Sequence, residues 1–120
     1  KSKVSDEQFE LTWQRIHSDF NMYGLIAELD GQIVGIAHYI FRPSTWDVED
    51  FCYLEDLFVD PKVRGAGVGR ALISELEKIA TAKGSKRLYW TTAPDNEVAR
   101  KLYDKVAITD FVQYRIFLNQ

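Results

Sequence analysis

Apolar residues recur at helical spacing at Phe9, Trp13, Ile16 and Phe20, and Ser5 with Gln8 three positions on forms a capping box. Residues 5 to about 20 are therefore predicted to form an amphipathic helix with an aromatic core stripe. The runs YGLIAEL and QIVGIAHYIF follow, joined by Asp30-Gly31, a dipeptide suited to a tight hairpin turn, and predict two antiparallel strands. RPSTWDVED, with its proline, serine and aspartates, reads as a loop carrying a part-exposed Trp46. FCYLEDLFV predicts a third strand, ended by Asp60-Pro61. The turn Arg64-Gly65-Ala66-Gly67-Val68-Gly69 then opens a helix whose stripe is Val68, Leu72, Leu76 and Ile79, closed by Lys83-Gly84. RLYWTT predicts a fourth strand. Asp95 is expected to cap a short helix running to about Lys105, with Val98, Leu102 and Val106 inward, and FVQYRIFL a final strand. Helix, three strands, helix, strand, helix, strand indicates an α/β fold with a mixed sheet and a right-handed crossover between the third and fourth strands.

Composition narrows this to one soluble domain spanning residues 1–120, with 46% hydrophobic and 28% charged residues. With a single cysteine, Cys52, no intramolecular disulfide is available. Together with His17 and His38 it makes no cluster with metal-ligand spacing, so no metal is expected. Cys52 reads as a small buried hydrophobe. The apolar runs fall short of a membrane span and the first residues lack a signal-peptide core, which makes the cytoplasm the default location. A pI near 5.3 without a dense Lys/Arg run disfavours nucleic acid as a partner.

The net charge of −3 conceals a division. Residues 1–60 carry 12 acids and 4 bases, and residues 61–120 carry 11 bases and 6 acids. One half meeting a cation and the other an anion would explain this, as would ordinary solvation. Between positions 47 and 60 there are six acids, Asp47, Glu49, Asp50, Glu55, Asp56 and Asp60, and no base. These are expected to lie where a cationic ligand approaches.

A strand that enters a glycine-rich turn and then a helix makes an anion site, because the first helical amides lack partners and the helix dipole favours negative charge. Arg64 and Arg70 flank this turn as charge-assisted donors. A Walker A loop is excluded, since Gly69 is followed by Arg70-Ala71 rather than Lys and Ser or Thr. The dinucleotide fingerprint is excluded as well, by glycine spacing and by the turn's position after a third strand.

The spacing [Arg/Gln]-x-x-Gly-x-[Gly/Ala], read here in Arg64–Gly69 after Val59-Asp60-Pro61, closely resembles the GNAT superfamily of acetyl-CoA-dependent N-acetyltransferases. DGQIVGIAHYIF, YLEDLFV and WTTAPDNEVARKLYDKV agree in order, so the resemblance runs from about Tyr23 to Ile116. It is nearest to the diamine or polyamine branch, including histone-and-polyamine relatives. The resemblance implies a GNAT-like sheet flanked by helices, with the usual first strand absent or built differently. It also implies acetyl-CoA as donor, no metal, a small cationic amine as acceptor, and a homodimer or higher homo-oligomer. Lysine, N-terminal or amino-acid acetylation is the alternative, and a silent acyl-CoA-binding module is the rival from another class.

On the same resemblance the turn Arg64, Gly65, Ala66, Gly67, Val68, Gly69 and Arg70 holds the cofactor pyrophosphate. The main chain of Leu57, Phe58 and Val59 bonds the pantetheine arm, and Asn96 matches a further cofactor contact or else a helix cap. An amine of pKa about 10 must lose a proton before attack, and Glu55 is the candidate base, directly or through water. Its alternatives are a solvated carboxylate or a partner for Arg42. Strand alternation puts Glu55 and Asp56 on opposite faces, so only one is expected to face the acetyl group. An amide near Val59 is placed to stabilise the carbonyl oxygen as it gains charge. Tyr103 matches the acid that protonates the departing thiolate, or packs as an aromatic. Asp56 and His38 are candidates for the substrate wall, with structural roles as alternatives. Trp46 lines either a substrate mouth or an oligomer contact. Val106-Ala107-Ile108 departs from the Leu-Gly-Phe common in relatives.

Overall fold

The computed structural model describes residue 11 and residues 22–119. The helix expected over residues 5 to about 20, with its capping box and stripe, lies outside the described residues except for Leu11, which is helical. The rest forms β1 (Met22–Leu29), β2 (Gln32–Ser44), β3 (Asp47–Val59), a 3-10 turn (Pro61–Val63), α1 (Val68–Ala82), β4 (Leu88–Tyr89) and α2 (Glu97–Val106). The chain divides into two compact units, one ending at Trp90 and one beginning at Thr91. Among the described residues no helix is long and apolar enough to cross a membrane.

The first unit is a four-stranded sheet in the order β1-β2-β3-β4. β1, β2 and β3 are antiparallel, and β4, reached through α1, pairs in parallel with β3, as a crossover connection requires. Asp30-Gly31 forms the first hairpin turn as expected. Side chains alternate along β2: Ala37, Tyr39 and Phe41 are buried, whereas His38, Ile40 and Arg42 are half-buried. The buried set shares its face with Cys52 and Leu54 of β3, against the buried Leu72, Ile73, Leu76 and Ala80 of α1, whereas Phe51, also buried, stands opposite Arg42 on the other face. Tyr39 and Phe41 meet edge to face with ring centroids 6.0 Å apart, and Tyr23 stacks on Tyr39 at 5.4 Å.

Several expectations are corrected. RPSTWDVED is not a loop: β2 runs on to Ser44, which pairs with Asp47 across the turn Thr45-Trp46. Pro43 sits at a register shift between Arg42 and Ser44, where a residue without an N–H is tolerated. The turn is held by Trp46 N–H donating to Ser44 Oγ at 3.0 Å and Glu49 N–H to Asp47 Oδ1 at 3.1 Å. RLYWTT contributes only Leu88 and Tyr89 to the ladder, opposite Cys52 and Tyr53.

In the second unit the helix cap is Asn96 rather than Asp95: its Oδ1 accepts from Ala99 N–H at 3.3 Å. Val98 is exposed rather than inward. FVQYRIFL forms no strand, because a strand is defined by its ladder partner and α2 is the regular element this unit describes.

Candidate active site

The site is built on an irregularity in β3. From Arg42 to Tyr39 the β2–β3 register is constant, with Phe41 opposite Cys52 and Tyr39 opposite Leu54. One further step would set His38 opposite Glu55. Instead His38 faces Asp56, and Glu55 is the extra residue of a β-bulge. Directly opposed residues share a sheet face, so Asp56 joins His38 and Ile40 on the face that alternation already gives to Tyr53 and Glu55. The expectation that Glu55 and Asp56 point to opposite faces is therefore overturned, and both side chains are exposed.

His38 Nδ1 lies 3.2 Å from Asp56 Oδ2, with the ring 29% and the carboxylate 63% exposed. The Glu55 carboxyl is held above its ordinary value, first by partial burial and then by the neighbouring Asp56 charge, while His38 opposes the rise. Arg42 is not its partner. That guanidinium donates to Tyr89 Oη and to the Pro43 carbonyl and lies over the rings of Phe51 and Tyr89.

β4 pairs with β3 only at Cys52 and Tyr53, whereas β2 follows β3 as far as Val59, so Leu57, Phe58 and Val59 are laddered from the β2 side. Asp60 then caps the 3-10 turn, its Oδ1 accepting from Lys62 N–H at 2.9 Å. The glycine turn follows. Gly65 and Gly67 take φ of 93° and 81°, and a Cβ at either would meet nothing within 4 Å. Backbone conformation requires these glycines, and the space above them is open. Gly67 brings no side-chain cap, and the first intrahelical bond runs from Ala71 N–H to Gly67 O at 3.0 Å. The amides of Val68, Gly69 and Arg70 precede it. Ala66 is different: its N–H is spent on Val63 O at 3.1 Å. Uncapped amides, open space and the exposed Arg64 and Arg70 fit an anion of pyrophosphate size.

The second unit holds Asn96 and Tyr103. Asn96 is occupied at both ends of its amide, since Nδ2 also donates to Thr92 Oγ1 at 3.1 Å. Burial raises the Tyr103 phenol above its ordinary value and so keeps its proton in place at neutral pH.

Other candidates lie apart. Trp46, 89% exposed, sits at the β2–β3 tip, nine residues from Glu55 and so roughly 25–30 Å away by strand rise. Asp47, Glu49 and Asp50 share that end, where Asp47 pairs with Lys86 at 3.6 Å and Asp50 O accepts from Ser85 Oγ at 2.6 Å. The six acids thus do not converge; only Glu55 and Asp56 do. Cys52 is fully buried, with its thiol pushed up to about 11. The His38–Asp56 pairing had no clear sequence signal, because the bulge that creates it leaves the local pattern unchanged.

Residues 2–107 match the model of the Acetyltransferase (GNAT) family, and the chain belongs to that family. Among curated proteins it is 41% identical over 86 residues to the D-amino-acid N-acetyltransferase HPA3 of Saccharomyces cerevisiae, covering 71% of this chain and 53% of that one. It is 34% identical over 85 residues to the thialysine N-epsilon-acetyltransferase of Caenorhabditis elegans, covering 71% and 52%. The chain thus spans about half the length of these relatives. The solved structure of AAC(6')-Iy in complex with the bisubstrate analog CoA-S-monomethyl-acetylneamine superposes with a TM-score of 0.81 at 22% identity, covering 99% of this chain and 82% of that one. That likeness establishes the α/β fold of the family.

Proposed function

We propose that this chain is an acetyl-CoA-dependent N-acetyltransferase whose acceptor is a primary amine on a small cationic molecule of the diamine or polyamine kind. The observation that carries the reading is the bulge, which gathers two carboxylates on one face of a family member. Acetyl-CoA supplies an activated acetyl thioester. Val68, Gly69 and Arg70 amides, with Gly65 and Gly67 keeping the approach open and Arg64 and Arg70 adding charge, would hold its phosphates. Ala66 contributes shape rather than a donor. The Leu57–Val59 main chain would follow the pantetheine arm. Glu55 takes the ammonium proton, directly or through water, and partial burial suits it to that task by raising its proton affinity. Asp56 attracts the cationic acceptor to the same face. Tyr103 retains its phenolic proton at neutral pH and serves as the acid.

The test is thiol release from acetyl-CoA across a panel of amines. Release with diamines and polyamines above amino acids is expected. Binding of acetyl-CoA with no release for any amine would favour the silent module instead. A second reading, amino-acid acetylation, draws on the likeness to the D-amino-acid and thialysine acetyltransferases, and the same panel distinguishes it. A homodimer also belongs to the proposal: Tyr114, Ile116 and Leu118 are 92%, 85% and 73% exposed, an apolar segment that a second copy would cover. Light scattering reads the assembly directly.

A further inference from the structure

Two like charges side by side on one sheet face repel, and such a pair persists when something of opposite sign stands against it. At the β3 bulge that element is the His38 imidazole. It reaches Asp56 from the adjacent strand at 3.2 Å and, when protonated, also acts on Glu55 in the sense of a counter-charge. Arg42, the nearest cation on the same face of β2, is turned away to Tyr89 and Phe51. Among the described residues, His38 from β2 and Asp56 from β3 are the ionisable groups that act on Glu55.

We propose that His38 and Asp56 are positioning residues for Glu55: Asp56 fixes the imidazole across the strand pair, and the imidazole so fixed is the counter-charge against which the Glu55 carboxylate is set. This rests on Glu55 being the base. The two residues act with opposite sign. Asp56 presses Glu55 towards its protonated form, His38 holds it as the carboxylate, and the hydrogen bond between them keeps the two influences in a fixed ratio. A bulge is what makes this possible, since a regular strand would set Asp56 on the buried face beside Leu54, out of reach of His38.

The test is a carbon-13 NMR titration of the glutamate side-chain carboxyls, with the Glu55 signal identified by its loss in Glu55→Gln. His38→Gln is expected to move the Glu55 midpoint to higher pH and Asp56→Asn to lower pH, each by on the order of 0.5 to 1 unit for a partly screened charge. The double variant returns towards the original midpoint. In kinetics at pH 6, His38→Gln lowers kcat severalfold and leaves acetyl-CoA affinity unchanged. A Glu55 midpoint that stays in place, or moves the same way in both single variants, overturns the inference. Asn keeps an oxygen for the imidazole, so Asp56→Asn alone decides the matter if His38→Gln does not fold. The titration is read without turnover: should Glu55→Gln retain full activity, the base assignment fails while the opposed shifts still report the coupling.

Discussion

A Cβ on Gly35 would stand 2.8 Å from Val68 Cγ1 and 3.0 Å from Leu72 Cδ1, so the first turn of α1 rests directly on the β2 backbone. That contact sets the height at which the uncapped amides of Val68, Gly69 and Arg70 are presented. Gly35→Ala needs no unusual backbone angle, and its cost is the steric displacement of α1. We expect a loss of about 1–3 kcal/mol of stability. Acetyl-CoA affinity should fall with it, as measured by calorimetry on protein still folded at 20 °C. Unchanged affinity would mean that α1 moves without disturbing the turn.

Gly65 and Gly67 predict a different outcome, because nothing lies within 4 Å of a Cβ at either position. The left-handed backbone there costs a non-glycine residue about 1–2 kcal/mol. A methyl group also occupies the space that the phosphates would use. Gly67→Ala should therefore weaken acetyl-CoA binding by about tenfold or more, while Arg70→Ala weakens it in a manner that fades as salt is raised. Equal affinities across the set would remove the turn from cofactor binding.

The elements easiest to read from sequence are those with local causes. The Asp30-Gly31 hairpin, the α1 stripe and the Lys83-Gly84 helix end each follow from spacing and turn chemistry within a few residues. The bulge at Glu55 does not, because register is a property of two strands. YLEDLFV looks the same whether His38 faces Glu55 or Asp56. The second hairpin was obscured by Pro43 and Ser44, residues that signal a loop unless a bulge takes them up. Convergence of the acids failed for a simpler reason: thirteen residues of extended chain hold Asp47 and Val59 at opposite ends of β3.

The raised carboxyl of Glu55 has a consequence for stability as well as rate. A group whose folded pKa lies above its unfolded value contributes stability at low pH that is lost as pH rises through the folded pKa. Glu55→Gln should therefore raise Tm slightly at pH 7, with the gain vanishing below about pH 4, where the wild-type side chain is already neutral. The same variant should lower kcat by about a hundredfold or more if Glu55 is the base. A Tm gain without a loss of kcat would assign the raised proton affinity to the fold alone.

Cys52 gives the corresponding prediction at alkaline pH. Burial pushes its thiol up to about 11, so its contribution to stability is fully present at neutral pH and disappears as pH rises towards 11. Native protein should resist alkylation at pH 8. Cys52→Ala should cost about 1 kcal/mol or more for the vacated volume and flatten the alkaline decline, with turnover per folded molecule unchanged. Loss of turnover in well-folded Cys52→Ala would point to a covalent route through sulfur and against direct transfer.

Charge at the two ends of β3 should separate in kinetics. Asp47 is tied to Lys86 at 3.6 Å, and Glu49 and Asp50 stand at the same end, about 17 Å or more by strand rise from Glu55. At 0.15 M salt the screening length is about 8 Å, so these acids exert little pull on an amine at the bulge. Glu49→Gln and Asp50→Asn should leave KM for a diamine within about twofold, whereas Asp56→Asn raises it severalfold if the proposed acceptor meets Glu55 on the face where Asp56 bears its charge. Measured at 0.02 M salt, where the screening length exceeds 20 Å, the distal variants should begin to raise KM too. If Asp50→Asn matched Asp56→Asn at both salt concentrations, the acceptor would extend along β3 to the hairpin end, and the site would be larger than the bulge.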